Sequence, residues 1–197
     1  MNKRFGLLLI AAGLLLMAAA MGLFVYNARE NREAGEHARQ VVEQLKPSPT
    51  PVAVAEPGPT PRPPKDTMPV VEIDGNGYIG YVSVPVLEIE LPVMSDWSYE
   101  KLRVAPCRHA GATYTEDLVI AAHNYDEHFG GLKDLQNGDA ITFTDMDGDV
   151  FEYRVALVET VAPTAVAQVL DSDYALVLYT CTYGGKTRVA VFCELVK

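Results

Sequence analysis

At 197 residues the chain is long enough for one domain with appendages, and 26 acidic against 16 basic side chains leave it a net charge of −10. Most of that acidity falls after residue 70. It argues against nucleic acid as a partner and disfavours a strongly acidic peptide substrate.

The chain opens on a short basic head, Asn2-Lys3-Arg4, and then runs from Phe5 to Tyr26 without a charge. As a helix this run spans roughly 33 Å, about one hydrocarbon core. The basic flank predicts an anchor with its N-terminus in the cytoplasm and everything after it outside the cell. The rival reading is a cleaved signal peptide, because Ala18-Ala19-Ala20 supplies small residues. The apolar run continues past those alanines and is longer than a usual signal core, which favours the uncleaved anchor, residues 1–27.

Residues 28–46 alternate Glu and Arg and are helix-prone, with Val41, Val42 and Leu45 as the apolar patch. They are expected to form a solvated juxtamembrane helix, with His37 at the surface. Residues 47–69 hold most of the 13 prolines. Such a segment is neither helix nor central strand; it is expected to be an extended spacer reaching up to roughly 70 Å. A chain starting near Pro69 is therefore expected to fold alone.

Residues 70–197 read as the globular domain. Strand-like runs recur at Tyr78–Val84, Leu87–Val93, Leu118–Ala122, Ala140–Thr144, Val150–Val158, Ala175–Tyr179 and Val189–Val196. Turn signals separate them at Asp74-Gly75-Asn76-Gly77, Asn137-Gly138-Asp139 and Asp147-Gly148. Short helices are expected over Ser98–Leu102 and Thr164–Leu170. Many short strands with Gly and Asp turns predict an all-β barrel or sandwich. The acidic run Asp145-Met-Asp147-Gly-Asp149 lacks the spacing of a calcium loop and reads more simply as a hairpin turn, so no metal site is expected.

Three cysteines leave at least one thiol free in a chain placed outside the cell. Cys107 and Cys193 either pair or pack as small buried hydrophobes; packing is the favoured reading, because spacing alone shows no proximity. Cys181 differs, since it ends the strand-like run Ala175–Tyr179. After the turn at Gly184-Gly185, Arg188 begins the next strand. A hairpin brings thiol and guanidinium to the same end of one sheet. The apolar run Leu118–Ala122 ends in His123, which offers a proton-transfer group from a third strand. His109 follows Cys107-Arg108 in an expected loop and His128 lies in the polar stretch Asn124–Gly131, so both compete less well. Thiol, imidazole and guanidinium together suit nucleophilic acyl transfer with general acid–base help and oxyanion stabilisation.

At these residues the chain resembles the sortases, cysteine transpeptidases of Gram-positive cell surfaces. The family signature Thr-Leu-x-Thr-Cys reads here Val177-Leu178-Tyr179-Thr180-Cys181, with Arg188 on the next strand and His123 well upstream. Val177 stands where the family has its first Thr. Tyr78-Ile-Gly-Tyr-Val, Leu91-Pro-Val-Met, Ala105-Pro-Cys-Arg and Thr142-Phe-Thr-Asp extend the resemblance over most of residues 70–197, most like class B and related clostridial sortases. The resemblance implies an eight-stranded barrel, with Cys181, His123 and Arg188 as catalytic residues. Thr180, Asn124 and Tyr125 are expected to help position substrate or oxyanion. The segment Val161–Tyr174 is implied to carry specificity.

The implied reaction cleaves a Leu-Pro-x-Thr-Gly-like or Asn-Pro-x-Thr-like sorting motif of a secreted protein through a Cys181 thioester. It passes the protein to an amine of peptidoglycan or of a pilin Lys, with no cofactor required. Two other readings stand beside it: an extracytoplasmic cysteine protease with water as acceptor, and a non-catalytic wall-binding β-domain.

Overall fold

The computed structural model describes residues 3–46 and 68–196, so the spacer expected over 47–69 lies outside the described residues except at Met68 and Pro69. The chain divides into two compact units, Met1–Glu33 and Ala34–Lys197. The first helix, α1 (Lys3–Leu45), runs through both without a break. In the first unit it carries the uncharged run, with Leu8, Leu15, Leu23 and Phe24 exposed. That stretch is long and apolar enough to cross a membrane.

The second unit corrects the expectation for residues 28–46. Ala34, Ala38, Val41 and Val42 are buried, and this spacing is one face of a helix. Val41 packs with Tyr78, Met94, Ala105 and Cys107, and Ala38 belongs to the main core. Gly35 permits the close approach: a Cβ there would lie 2.7–2.8 Å from the Glu127 side chain. Arg39 pairs with Glu127 at 2.7 Å. His37, expected at the surface, is half-buried, and its Nε2 is fully covered. The compact unit therefore begins at Ala34 rather than near residue 70. A chain starting at Pro69 is accordingly expected to be less stable than one starting at Ala34. Burying one Val side chain contributes about 1.5–3 kcal/mol. Thermal unfolding of the two chains checks this, and a lower midpoint is expected for the shorter.

The remainder of this unit is a barrel. Its strands are β1 (Val71–Ile73), β2 (Asn76–Val84), β3 (Ile89–Met94), β4 (Cys107–Ala110), β5 (Leu118–Ala122), β6 (Ala140–Asp145), β7 (Val150–Val161), β8 (Leu176–Cys181) and β9 (Arg188–Leu195). They are ordered β1-β2-β3-β4-β5-β8-β9-β7-β6, and β6 pairs back onto β2. That last pairing closes β2 to β9 into the eight-stranded barrel, with β1 as a short edge outside it. Closure demands a glycine at position 80: its φ is 154°, and a Cβ would meet Thr144 O at 2.1 Å.

β6 alternates buried and partly exposed residues, placing Ile141 and Phe143 inside. β5 is buried at every residue and pairs in parallel with β8, as expected of a strand covered on both faces. Its inner side chains Leu118, Ile120 and Ala122 join the main core with Leu176 and Leu178. On the outer face Val119 and Val177 pack with Val169 of α2 (Val166–Leu170).

The acidic run is a turn between β6 and β7. Asp145 is buried, takes the hydroxyl of Tyr114 and accepts from the backbone N–H groups of Asp147 and Asp149 at 2.9 Å each. The expected helix at Ser98–Leu102 is a 3-10 turn at Lys101–Arg103, and that at Thr164–Leu170 is α2. β1 and β4 were not expected from sequence.

Candidate active site

Two ladders assemble the reactive side chains. In the antiparallel pair β8–β9, Cys181 stands opposite Arg188. In the parallel pair β5–β8, Ala122 stands opposite Thr180, so His123, one residue on, follows the same register toward Cys181. Cys181 thus lies in the middle of a row His123–Cys181–Arg188, with neighbouring strands ~4.8 Å apart.

Alternation along β8 sends Cys181 and Tyr179 outward and Thr180 inward. Thr180 is buried, and its hydroxyl donates to Ala122 O at 2.9 Å. The hydroxyl therefore ties β8 to the strand that ends in His123, and of the two Thr180 groups expected to position substrate or oxyanion, hydroxyl or backbone N–H, it is the one engaged within the barrel.

His123 is half-buried and stacks on Tyr125, with centroids 4.7 Å apart and planes inclined by 14°. The loop after it is tight: His123 O accepts from Phe129 N at 3.2 Å, and Tyr125 O accepts from Gly130 N at 2.9 Å. A Cβ at residue 130 would press on the carbonyls of Tyr125 and Asn124, at 2.7 and 2.9 Å. Asn124 and Tyr125 therefore shape the loop that carries the imidazole. Arg188 Nη1 donates to Gly185 O and Thr187 O, both at 3.0 Å, which fixes the guanidinium against its own turn.

The three thiols are distinct and reduced. Cys107 and Cys193 are fully buried, and burial pushes each thiol up to about 12. Neither forms a thiolate near neutral pH. Cys181 is the accessible thiol. Cys107 and Cys193 also occupy different core clusters, so they do not pair.

Cys181 and Arg188 border a cleft of about 290 Å³ on the outer face of β5, β8 and β9. One wall is Trp97, Tyr99 and Leu102, from the segment between β3 and β4. The other is Val161, Ala162, Pro163, Ala165 and Val169, from the end of β7 through α2. This second wall lies within the segment expected to carry specificity. Sequence reasoning missed the first wall, and also His109 and Tyr179, which line the cleft between the two. Tyr179 was within reach, since it lies two residues before Cys181 on the same strand face. Nothing local in the sequence marks His109.

The sortase domain family model matches residues 82–196, more than half of the chain and the whole of the site. Among solved structures, sortase C of Streptococcus pneumoniae is 27% identical, with a TM-score of 0.56 over 86% of this chain and 89% of that one. Sortase C1 of Streptococcus agalactiae is 27% identical, with a TM-score of 0.54 over 64% and 71%. Sortase C of Clostridium perfringens has the same fold at 23% identity, with a TM-score of 0.52 over 61% and 70%. No curated protein sequence matches the chain. These structures are named sortase C, whereas the sequence segments resemble class B; the family is common ground.

Proposed function

The chain is a member of the sortase family, a cysteine transpeptidase, and we propose that it is anchored in the cell membrane by α1, N-terminus inside, and joins secreted proteins to a surface amine. The observation that carries this reading is the register that sets His123, Cys181 and Arg188 in one row, with Cys181 and Arg188 bordering a cleft with mainly apolar walls. Cys181 thiolate attacks a peptide carbonyl of a sorting motif, Leu-Pro-x-Thr-Gly-like or Asn-Pro-x-Thr-like. Arg188 donates to the oxyanion or holds the substrate backbone. His123, as imidazolium, gives a proton to the departing amine, and the acyl half stays on Cys181 as a thioester.

An incoming amine then loses its proton to His123 and attacks the thioester, releasing an amide and the thiolate. The energy of the broken amide is kept in the thioester, so no nucleotide or other cofactor is required. The acceptor is a peptidoglycan stem amine or a pilin Lys. The sortase C of Streptococcus pneumoniae, described for its pilin substrate specificity, supports the second.

Product analysis of the full chain, with and without an added amine, tests the reading. An amide of that amine is expected as the main product when the amine is present. Hydrolysis alone, whatever the amine, would make the enzyme a protease.

A further inference from the structure

The His123 imidazole belongs to a series of rings that reaches α1. It stacks on Tyr125, and Tyr125 in turn leans on His128, with centroids 5.5 Å apart and planes inclined by 55°. The loop folds back on itself to allow this, His128 N donating to Tyr125 O at 3.0 Å. His128 is fully buried, and neither ring nitrogen has a hydrogen-bond partner among the described residues. An apolar side chain would avoid the cost of that placement. Burial, the largest influence, holds the His128 imidazolium down to about 4. The ring is therefore neutral near pH 7, and it neither repels a protonated His123 nor takes its proton.

The cover over this part of the loop comes from α1. The Ala34 carbonyl lies close enough to His128 to favour its protonated form, against the burial. Gly35 brings the helix backbone onto Glu127, the loop residue before His128, with no room for a Cβ. One turn further on, Arg39 pairs with the same Glu127 at 2.7 Å. Ala38 shares the main core with Phe129, the loop residue after His128. Residues 34, 35, 38 and 39 form one face of a helix. A loop on a barrel rim is ordinarily the mobile part of the fold; this one is held from beneath at consecutive residues.

We propose that the face of α1 from Ala34 to Arg39 braces the catalytic imidazole, and that His128 is a positioning residue that carries the contact through Tyr125 to His123. The two rings fix the plane in which the imidazole lies, and α1 fixes the inner ring. Misplacing a reacting group by about 1 Å can cost ~10²-fold in rate. A loop freed from α1 lets the imidazole drift from the departing amine while Cys181 and Arg188, on β8 and β9, keep their places. The inference rests on the transpeptidase reading, in which His123 gives the proton, and adds what holds that group.

The test uses the full chain in detergent micelles and two sorting-motif peptides, one with the ordinary amide and one whose leaving group needs no proton. The readout is the ratio of their kcat/KM values for acyl-enzyme formation, amide over activated, which does not depend on the fraction of enzyme folded. His128→Leu keeps an apolar filling but removes the ring under Tyr125. Gly35→Ala favours the helix itself and drives a methyl into Glu127. Each is expected to lower the ratio by about tenfold, and His128→Phe, which keeps a ring, to retain most of it. In a His123→Ala background the same substitutions are expected to change the ratio by less than about twofold, because the group they position is gone. An unchanged ratio in either variant, the result of a purely structural loss, overturns the proposal, and so does an undiminished effect in the His123→Ala background. Absence of any acyl-enzyme with either peptide in the wild type would instead overturn the transpeptidase reading on which it rests.

Discussion

Replacing Cys181 with Ala is expected to abolish acyl-enzyme formation and transfer outright, the largest effect of any single substitution in this chain. No other group on the row can act as the nucleophile: His123 and Arg188 flank it, and the Thr180 hydroxyl points inward and donates to Ala122 O. Nor can another thiol replace it. Cys107 and Cys193 are fully buried and pushed up to about 12 by burial, so their thiolates are neither accessible nor populated. Cys107→Ser and Cys193→Ser are accordingly expected to keep the chemistry while lowering the unfolding temperature. Each puts a hydroxyl where a small apolar thiol packs. Single-turnover assays with a sorting-motif peptide, beside thermal unfolding of each variant, separate the two kinds of loss. Activity surviving in Cys181→Ala would remove the nucleophile from this account.

The second large effect separates the two neighbours of Cys181. His123→Ala is expected to cut both cleavage and transfer by ~10²-fold or more, the usual contribution of a general acid–base group. A substrate whose leaving group needs no proton is expected to recover part of that loss. Arg188→Lys keeps the charge but loses the planar fork. It also loses the two carbonyl bonds, to Gly185 and Thr187, that aim the guanidinium. It is expected to be badly impaired, and the better leaving group is expected to help it far less than it helps His123→Ala. Near wild-type transfer by Arg188→Lys would reduce Arg188 to a structural residue and shift oxyanion stabilisation to another donor. Both variants sit at strand ends, so circular dichroism and unfolding midpoints have to accompany the rates.

The barrel was legible where strands are long, β-branched and closed by Gly or Asp turns. β5 matches its expected bounds, Leu118–Ala122, and β8 and β9 match theirs within two residues. β4 was not legible. Cys107-Arg-His-Ala is four residues of mixed polarity with a bulge in its pairing, and it alternates too briefly to show a period. The helix after the apolar run was misjudged for a different reason. Only Val41, Val42 and Leu45 were counted as apolar, while Ala34 and Ala38 complete the stripe on the same face and Gly35 lets it approach Glu127. Small residues carry little hydropathy but set how closely a helix can pack.

The candidate site divides the same way. Cys181, His123 and Arg188 were singled out because each stands at the end or start of an apolar strand and matches the family resemblance; that β5 lies beside β8, which aligns His123 with Cys181, comes from the strand pairing. The inward turn of the Thr180 hydroxyl follows from alternation along β8, and its partner Ala122 from a pairing of strands far apart in sequence. The cleft walls draw on residues 97–102 and 161–169, brought together only by the closed barrel. No periodicity within either segment announces the other.

The most direct test of the central claim is to incubate the full chain with a sorting-motif peptide, quench it in acid, and map the modified residue by mass spectrometry. The account predicts an adduct with the mass of the acyl fragment, held on Cys181 as a thioester and released by hydroxylamine or an added amine. An adduct on any other residue, or cleavage of the peptide by Cys181→Ala at the wild-type rate, would contradict it.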